Sequence, residues 1–179
     1  MAQDFFKKAA LPALIGVIAA GAAIAATGGD DAEAYAADTV ALDVAQASIS
    51  AGALFDRADL NQDGALDQDE YAALSIVRAE LARLNGFVWF EADGVSVAAP
   101  VAEANASPLS IAERIRIETV SSFAYHTAAG ADDVLDRNDF IAHELERFQA
   151  ADTNDDGVLV DAELTKIASA ITFSPSSAA

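Results

Sequence analysis

The chain of 179 residues contains no cysteine, one methionine, one tryptophan and two histidines. Without cysteine it can form no disulfide, no zinc-thiolate site, no thiol nucleophile and no cysteine-linked lipid anchor. That absence leaves the compartment open, because an exported protein can also lack disulfides. The histidines give little chemistry. His143-Glu144 begins like a metalloprotease helix, but Arg147 stands where H-E-x-x-H needs its second histidine. His143 is therefore expected on a helix surface, solvated or hydrogen-bonded. His126 is expected near a helix end, where the dipole favours a cation. No serine lies in a G-x-S-x-G context and no glycine-rich phosphate loop occurs. The expectation is a protein without catalytic residues. Positive charge is also scarce: 10 basic residues face 29 acidic ones, a net charge of −19. Such an excess repels phosphate backbones, so nucleic acid is not an expected partner. It also disfavours flat binding to anionic lipid.

What the chain does have is acid at fixed spacing. Residues 59–70 read Asp59-Leu-Asn61-Gln-Asp63-Gly64-Ala65-Leu66-Asp67-Gln-Asp-Glu70 (loop one). Residues 152–163 read Asp152-Thr-Asn154-Asp-Asp156-Gly157-Val158-Leu159-Val160-Asp-Ala-Glu163 (loop two). Both satisfy D-x-[DN]-x-[DN]-G-x5-E without a gap. The spacing suits a hard cation that takes roughly 6–8 oxygens. Positions 1, 3 and 5 offer side-chain oxygens from Asp59, Asn61 and Asp63, and from Asp152, Asn154 and Asp156. Position 6 needs a sharp turn, and glycine stands there in both loops. Position 7 gives a backbone carbonyl, from Ala65 and Val158. Position 12 gives a whole carboxylate, from Glu70 and Glu163. Position 9 differs: Asp67 can reach the ion, commonly through water, whereas Val160 cannot. Loop one thus carries four ligand carboxylates (Asp59, Asp63, Asp67, Glu70) and loop two three (Asp152, Asp156, Glu163). Loop one is expected to be the tighter of two calcium sites.

On these residues the chain resembles the EF-hand superfamily, and through its leader and hand spacing the exported bacterial members. The resemblance implies a mainly α fold of helix-loop-helix pairs with short loop strands. It implies that Leu66 and Leu159, at position 8, lie in strands that pair with a partner loop. The flanks agree. Leu164, Ile167, Ala168 and Ile171 follow Glu163 on one helical face, and Tyr71, Leu74, Val77, Leu81 and Leu84 follow Glu70 at helical spacing. Asn85-Gly86 reads as a helix stop. Phe55 and Phe148 each stand four residues before the first aspartate of a loop.

The N-terminus suggests export. Lys7-Lys8 precede an uncharged apolar run over residues 9–26, and Ala23-Ile24-Ala25 fits an A-x-A cleavage site, with Ala32-Glu33-Ala34 a weaker one. Residues 1–25 thus read as a signal peptide, placing the mature chain in the periplasm or medium. Cleavage after residue 25 would remove two lysines and Asp4, taking the charge from −19 to −20. The rival reading is an uncleaved membrane anchor with the chain facing outward, at the lower edge of spanning length. A buried helix of a cytosolic protein is the third.

Residues 26–39 read as a linker and 40–86 as the first EF-hand region, with helices from about Val44 and over Gln68 to Asn85. Residues 87–107 form an insertion. Phe87 to Val97 contains two β-prone segments about Asp93-Gly94, the mark of a hairpin. Its Phe87, Trp89 and Phe90 either close the groove of a neighbouring hand or dock a partner or membrane interface. Residues 108–174 read as a second EF-hand pair. Ser110 and Glu113 form a capping box, followed by an apolar face of Ile111, Ile115, Val120 and Phe123. Residues 128–139 look like a hand that has lost its oxygens at positions 1 and 3. It is expected to lean on loop two and to share with it the helix over residues 137–151. A shift of 93 residues lays Asp59 on Asp152, Leu42-Asp43 on Leu135-Asp136 and Phe55 on Phe148. That suggests a repeat of one degenerate and one binding hand. The alternative is direct pairing of the two binding hands.

Two functions suit these features. One is an extracytoplasmic calcium-binding module with a structural or buffering role. The other is a calcium-dependent sensor or adaptor for a protein partner, tethered to a membrane if the leader stays. Sensor grooves tend to be methionine-rich, and Met1 is this chain's only methionine. That favours the first.

Overall fold

The computed structural model describes residues 40–102 and 107–172. The leader and linker, residues 1–39, lie outside the described residues, and so does the contact unit Met1–Ala36. Everything below belongs to the unit Ala37–Ala179.

The fold is mainly α. In chain order the elements are β1 (Ala41–Asp43), α1 (Val44–Ala58), β2 (Ala65–Leu66), α2 (Gln68–Asn85), β3 (Phe87–Ala92), β4 (Val95–Pro100), α3 (Ile111–Ala129), a 3-10 turn (Gly130–Asp132), β5 (Leu135–Asp136), α4 (Arg137–Ala151), β6 (Val158–Val160) and α5 (Asp161–Ile171). Helix ends are set by local chemistry. The side chains of Asp43, Asp67, Ser110 and Asp136 accept backbone N–H groups at the starts of α1, α2, α3 and α4. Gly86 closes α2 at φ 82°, a left-handed conformation open to glycine. The β3–β4 hairpin turns at Asp93 (φ 50°) and Gly94 (φ 80°), the pair of positive φ angles its tight turn requires.

Strand pairing crosses between the halves of the chain. β2 of loop one pairs antiparallel with β5, Leu66 opposite Leu135. β6 of loop two pairs antiparallel with β1, Leu42 opposite Leu159. The degenerate segment over residues 128–139 therefore supports loop one, not loop two, and the two complete loops do not pair with each other. α4 does run from the degenerate segment into loop two, as expected. The reason for the exchange lies in α4, whose 15 residues carry β5 and loop two to opposite ends of one rod. The element boundaries follow the 93-residue shift, with α1 and α4 equal in length and Leu42, Phe55 and Leu66 matched by Leu135, Phe148 and Leu159.

Two apolar clusters result. Around loop one, Phe55, Leu66, Tyr71, Tyr125, Leu135 and Phe140 are buried together. Around loop two, Leu42, Phe148, Leu159, Leu164, Ile167 and Ile171 are buried with Val88, Phe90, Val97 and Ala99 of the hairpin. Truncating Phe55 or Phe148 to alanine would cost about 3–5 kcal/mol. At Gly52 of α1 the missing side chain leaves room for Arg137, the first residue of α4, to reach Asp56 at 3.0 Å.

Three expected faces differ. On α3 the buried face is Ile117, Ser121, Tyr125 and Ala129, and Ile111, Ile115, Val120 and Phe123 point outward. The capping box sets the start of α3, but burial is decided by contact with α2, through Arg83–Glu113 and Arg114–Glu80. On α2 the inward residues include the small Ser75, Ala79 and Ala82, while Val77, Leu81 and Leu84 are left half-exposed. In the hairpin Phe90 joins the core, whereas Trp89 on the other face is 45 % exposed and stacks edge-on to Phe87.

Candidate metal centres

Both loops are shaped by the same backbone devices. Gln62 (φ 60°) and Asp155 (φ 57°), at position 4, are left-handed, as are Gly64 (φ 86°) and Gly157 (φ 78°) at position 6. A substitution at either glycine would be strained even though the space beside it is open. The helix before each loop ends in one way: the Asp59 N–H donates to the Phe55 carbonyl, and the Asp152 N–H to that of Phe148, both at 2.9 Å.

The side chains converge on the loop's own amides. In loop one the Gly64 N–H donates to Asp59 Oδ2 at 3.0 Å, and the Asp63 N–H to Asn61 Oδ1 at 2.9 Å. In loop two the Gly157 N–H donates to Asp152 Oδ2 at 2.9 Å, and the Asp156 N–H to Asn154 Oδ1 at 3.0 Å. Asn61 and Asn154 each donate a side-chain N–H to the position 5 aspartate, at 3.0 Å in both loops. The position 12 glutamates are buried and close the loops. Glu70 Oε1 accepts the Leu60 N–H at 3.0 Å and Oε2 the Asp67 N–H at 3.1 Å. Glu163 Oε1 accepts the Thr153 N–H at 2.8 Å and its hydroxyl at 2.6 Å. The Thr153 hydroxyl and amide hold the Glu163 carboxyl below its ordinary pKa.

One atom points to a missing partner. Asp152 Oδ1 is buried and accepts no hydrogen bond. A buried, unpaired carboxylate oxygen is costly unless something positive meets it. The remaining donors fit a hard cation: aspartate, asparagine and glutamate oxygens, plus the carbonyls of Ala65 and Val158. Asp59, Asn61, Asp63, Ala65, Asp67 and Glu70 would hold one calcium ion; Asp152, Asn154, Asp156, Val158 and Glu163 would hold the other. Among the described residues no three carboxylate or imidazole groups form a ready cluster. The loop carboxylates are instead turned onto backbone amides, and part of each donor set is asparagine and backbone.

The family model described as EF hand matches residues 52–75, which cover loop one and parts of α1 and α2. The chain carries an EF hand. EF-hand loops of this kind bind calcium. No curated protein and no solved structure matches the chain.

A buried ionic cluster lies between the EF hand and α4, and its pairing was not read from the sequence. Glu144 is 8 % exposed and accepts from Arg78 at 3.0 Å and from Arg147 at 2.7 Å. Arg147 also donates to the Tyr71 hydroxyl at 3.0 Å. Burial alone would raise the Glu144 pKa, but the two guanidinium charges outweigh it and the carboxyl stays below its ordinary range. His143, beside Arg147 at 3.1 Å, is mostly buried, and burial lowers its pKa. His126 sits in the last turn of α3 with Nδ1 2.7 Å from Asp133. The periodicity of Arg78, Glu144 and Arg147 could have flagged them, since each falls on an inward face.

Proposed function

We infer that the protein binds calcium at both loops, and that the ions hold its fold together in a structural or buffering role outside the cytoplasm. The observation that carries the second site is Asp152 Oδ1, buried and unpaired inside a loop bonded like that of the EF hand. Catalysis has no part in this reading. Export is supported by Lys7-Lys8, the apolar run and the A-x-A site. Among the described residues no helix is long and apolar enough to cross a membrane. Attachment through an uncleaved leader is the alternative, and N-terminal sequencing of the exported protein decides between signal and anchor.

Extracellular calcium modules bind at about 10⁻⁴–10⁻³ M, roughly −4 to −5.5 kcal/mol per site. At a hundredfold excess one such site adds about 2.7 kcal/mol to stability. The melting temperature should rise strongly with calcium and little with magnesium, which demands a smaller octahedral site. An unchanged melting temperature on adding chelator would overturn the stability role.

One observation favours a second reading, a calcium-dependent adaptor for a protein partner. Leu81, Leu84, Ile111 and Phe123 are exposed, the last at 76 %. These side chains lie on α2 and α3, and exposed apolar surface can serve as an interaction site. A sensor would increase its binding of an apolar dye when calcium is added, and a structural module would not.

A further inference from the structure

We propose that His143 is a pH-sensitive latch: in acid it takes up a proton, forces Arg147 away from the Tyr71 hydroxyl and so loosens the grip of loop one on calcium. The proposal rests on calcium binding at loop one and on nothing at loop two. It starts from the way α2 and α4 are joined. The two helices make little backbone contact. Long polar side chains span between them instead. Arg78 reaches Glu144 at 3.0 Å, and Arg147 reaches the Tyr71 hydroxyl at 3.0 Å. The side chains of Arg78, Glu144, Arg147 and His143 are all mostly buried. Tyr71 directly follows Glu70, the position 12 residue of loop one. Arg147 therefore steadies the helical turn that carries that ligand.

His143 governs where Arg147 sits. Arg147 Nη2 lies 3.1 Å from His143 Nε2. A guanidinium can only donate, so Nε2 accepts, and the ring is neutral with its proton on Nδ1. Nδ1 faces Glu146 Oε2 at 3.6 Å. The other charges here are Glu144 of α4 and, from α2, Arg78, which is paired with it. α3 faces the cluster with Tyr125, whose ring tilts onto that of Tyr71. α1 meets α4 through Asp56 and Arg137 at the first turn of α4, and α5 shares with it the apolar cluster of Phe148, Leu164 and Ile167. Burial, then the Arg147 charge, lower the His143 pKa against the opposing pull of Glu144 and Glu146. Such a group gives stability that is whole above the ordinary histidine value and lost as the pH falls through the lower folded value. Once protonated, Nε2 sets a donor against a donor and a charge against a like charge. The same Nη2 serves both His143 and Tyr71, whereas Nη1 holds Glu144 at 2.7 Å. The guanidinium thus keeps its ionic partner, the stronger one, and swings Nη2 away from the neutral Tyr71 hydroxyl.

The Gly64 amide, which donates to Asp59 Oδ2, reports loop one by NMR. Calcium titrations of the full chain at about pH 8 and about pH 5 bracket the range in which histidine titrates. In the wild type the half-saturating calcium at Gly64 should rise about fivefold or more toward acid. His143→Gln, neutral at both ends, should remove most of that rise. Tyr71→Phe should remove it too, because the hydroxyl that transmits the change is gone. Urea unfolding with chelator reads the calcium-free stability. That stability should fall more steeply with acid in the wild type and in Tyr71→Phe than in His143→Gln. Equal acid shifts of Gly64 in the wild type and His143→Gln would refute the latch. A shift that survives in Tyr71→Phe would refute the route through Arg147. If Gly64 does not respond to calcium at about pH 8, the calcium reading of loop one fails. The unfolding curves then judge the latch alone, and the same pH dependence in the wild type and His143→Gln overturns it.

Discussion

Loops one and two share backbone shape and bonding pattern, yet they diverge at position 9 in a way that reaches beyond ligand charge. In loop one Asp67 is both a candidate ligand and the cap of α2, its Oδ1 accepting the Glu70 N–H at 2.8 Å. Val160 in loop two can do neither. α5 begins without a side-chain cap, and its first residue, Asp161, takes φ 43°. A left-handed aspartate is tolerated but mildly strained. Loop two offsets this elsewhere. Thr153 adds a hydroxyl to Glu163, where loop one has Leu60 at the same position. Both glutamates accept the position 2 amide; loop one adds the Asp67 cap on the Glu70 N–H, and loop two adds the Thr153 hydroxyl. The difference at position 9 thus alters helix capping and ligand charge together, and the difference at position 2 alters how the glutamate is anchored.

The largest expected effect comes from removing position 12. Glu70→Gln and Glu163→Gln should each weaken their own site by more than the roughly 10–100-fold typical of losing an outer partner, read by calorimetry. Exchanging position 9 comes next. Val160→Asp should tighten loop two by about tenfold, or about 1.4 kcal/mol. Asp67→Val should weaken loop one and also cost about 1 kcal/mol of calcium-free stability through the lost cap, measured by urea unfolding with chelator. Thr153→Val should lower calcium-free stability by about 1 kcal/mol, with no counterpart for Leu60→Val. The smallest effect lies outside both loops. Glu113, bonded to the Ser110 hydroxyl and amide and to Arg83, has its pKa lowered to about 2. A lowered folded pKa gives stability that is whole above the ordinary carboxyl value and lost as the pH falls through about 2. α3 contributes Tyr125 and Ala129 only to the core around loop one. The stability gap between the wild type and Glu113→Gln should therefore close on acidification toward pH 2, with the loss seen first in amide exchange around loop one.

Much of this was legible because EF-hand ligation imposes a spacing. Asp59 to Glu70 and Asp152 to Glu163 announce loops, and Leu66 and Leu159 announce strands. Gly86 and Ser110 announce helix ends through local bonds alone. Partner choice was not legible. Residues 128–139 adjoin loop two in sequence, and nothing local says that α4 holds them apart. Helix faces were misread where large aliphatics outvoted small residues: Ala79 and Ala82 of α2 are buried and Leu81 is not. Close helix packing selects small side chains, and a periodicity scored on size cannot see that.

We infer two calcium sites of unequal strength in one fold. A calorimetric calcium titration of the wild-type chain tests it directly, with Glu70→Gln and Glu163→Gln assigning each site. Two ions should bind, with the tighter one lost in Glu70→Gln. A single ion, or a tighter site that survives in Glu70→Gln and vanishes in Glu163→Gln, would contradict it.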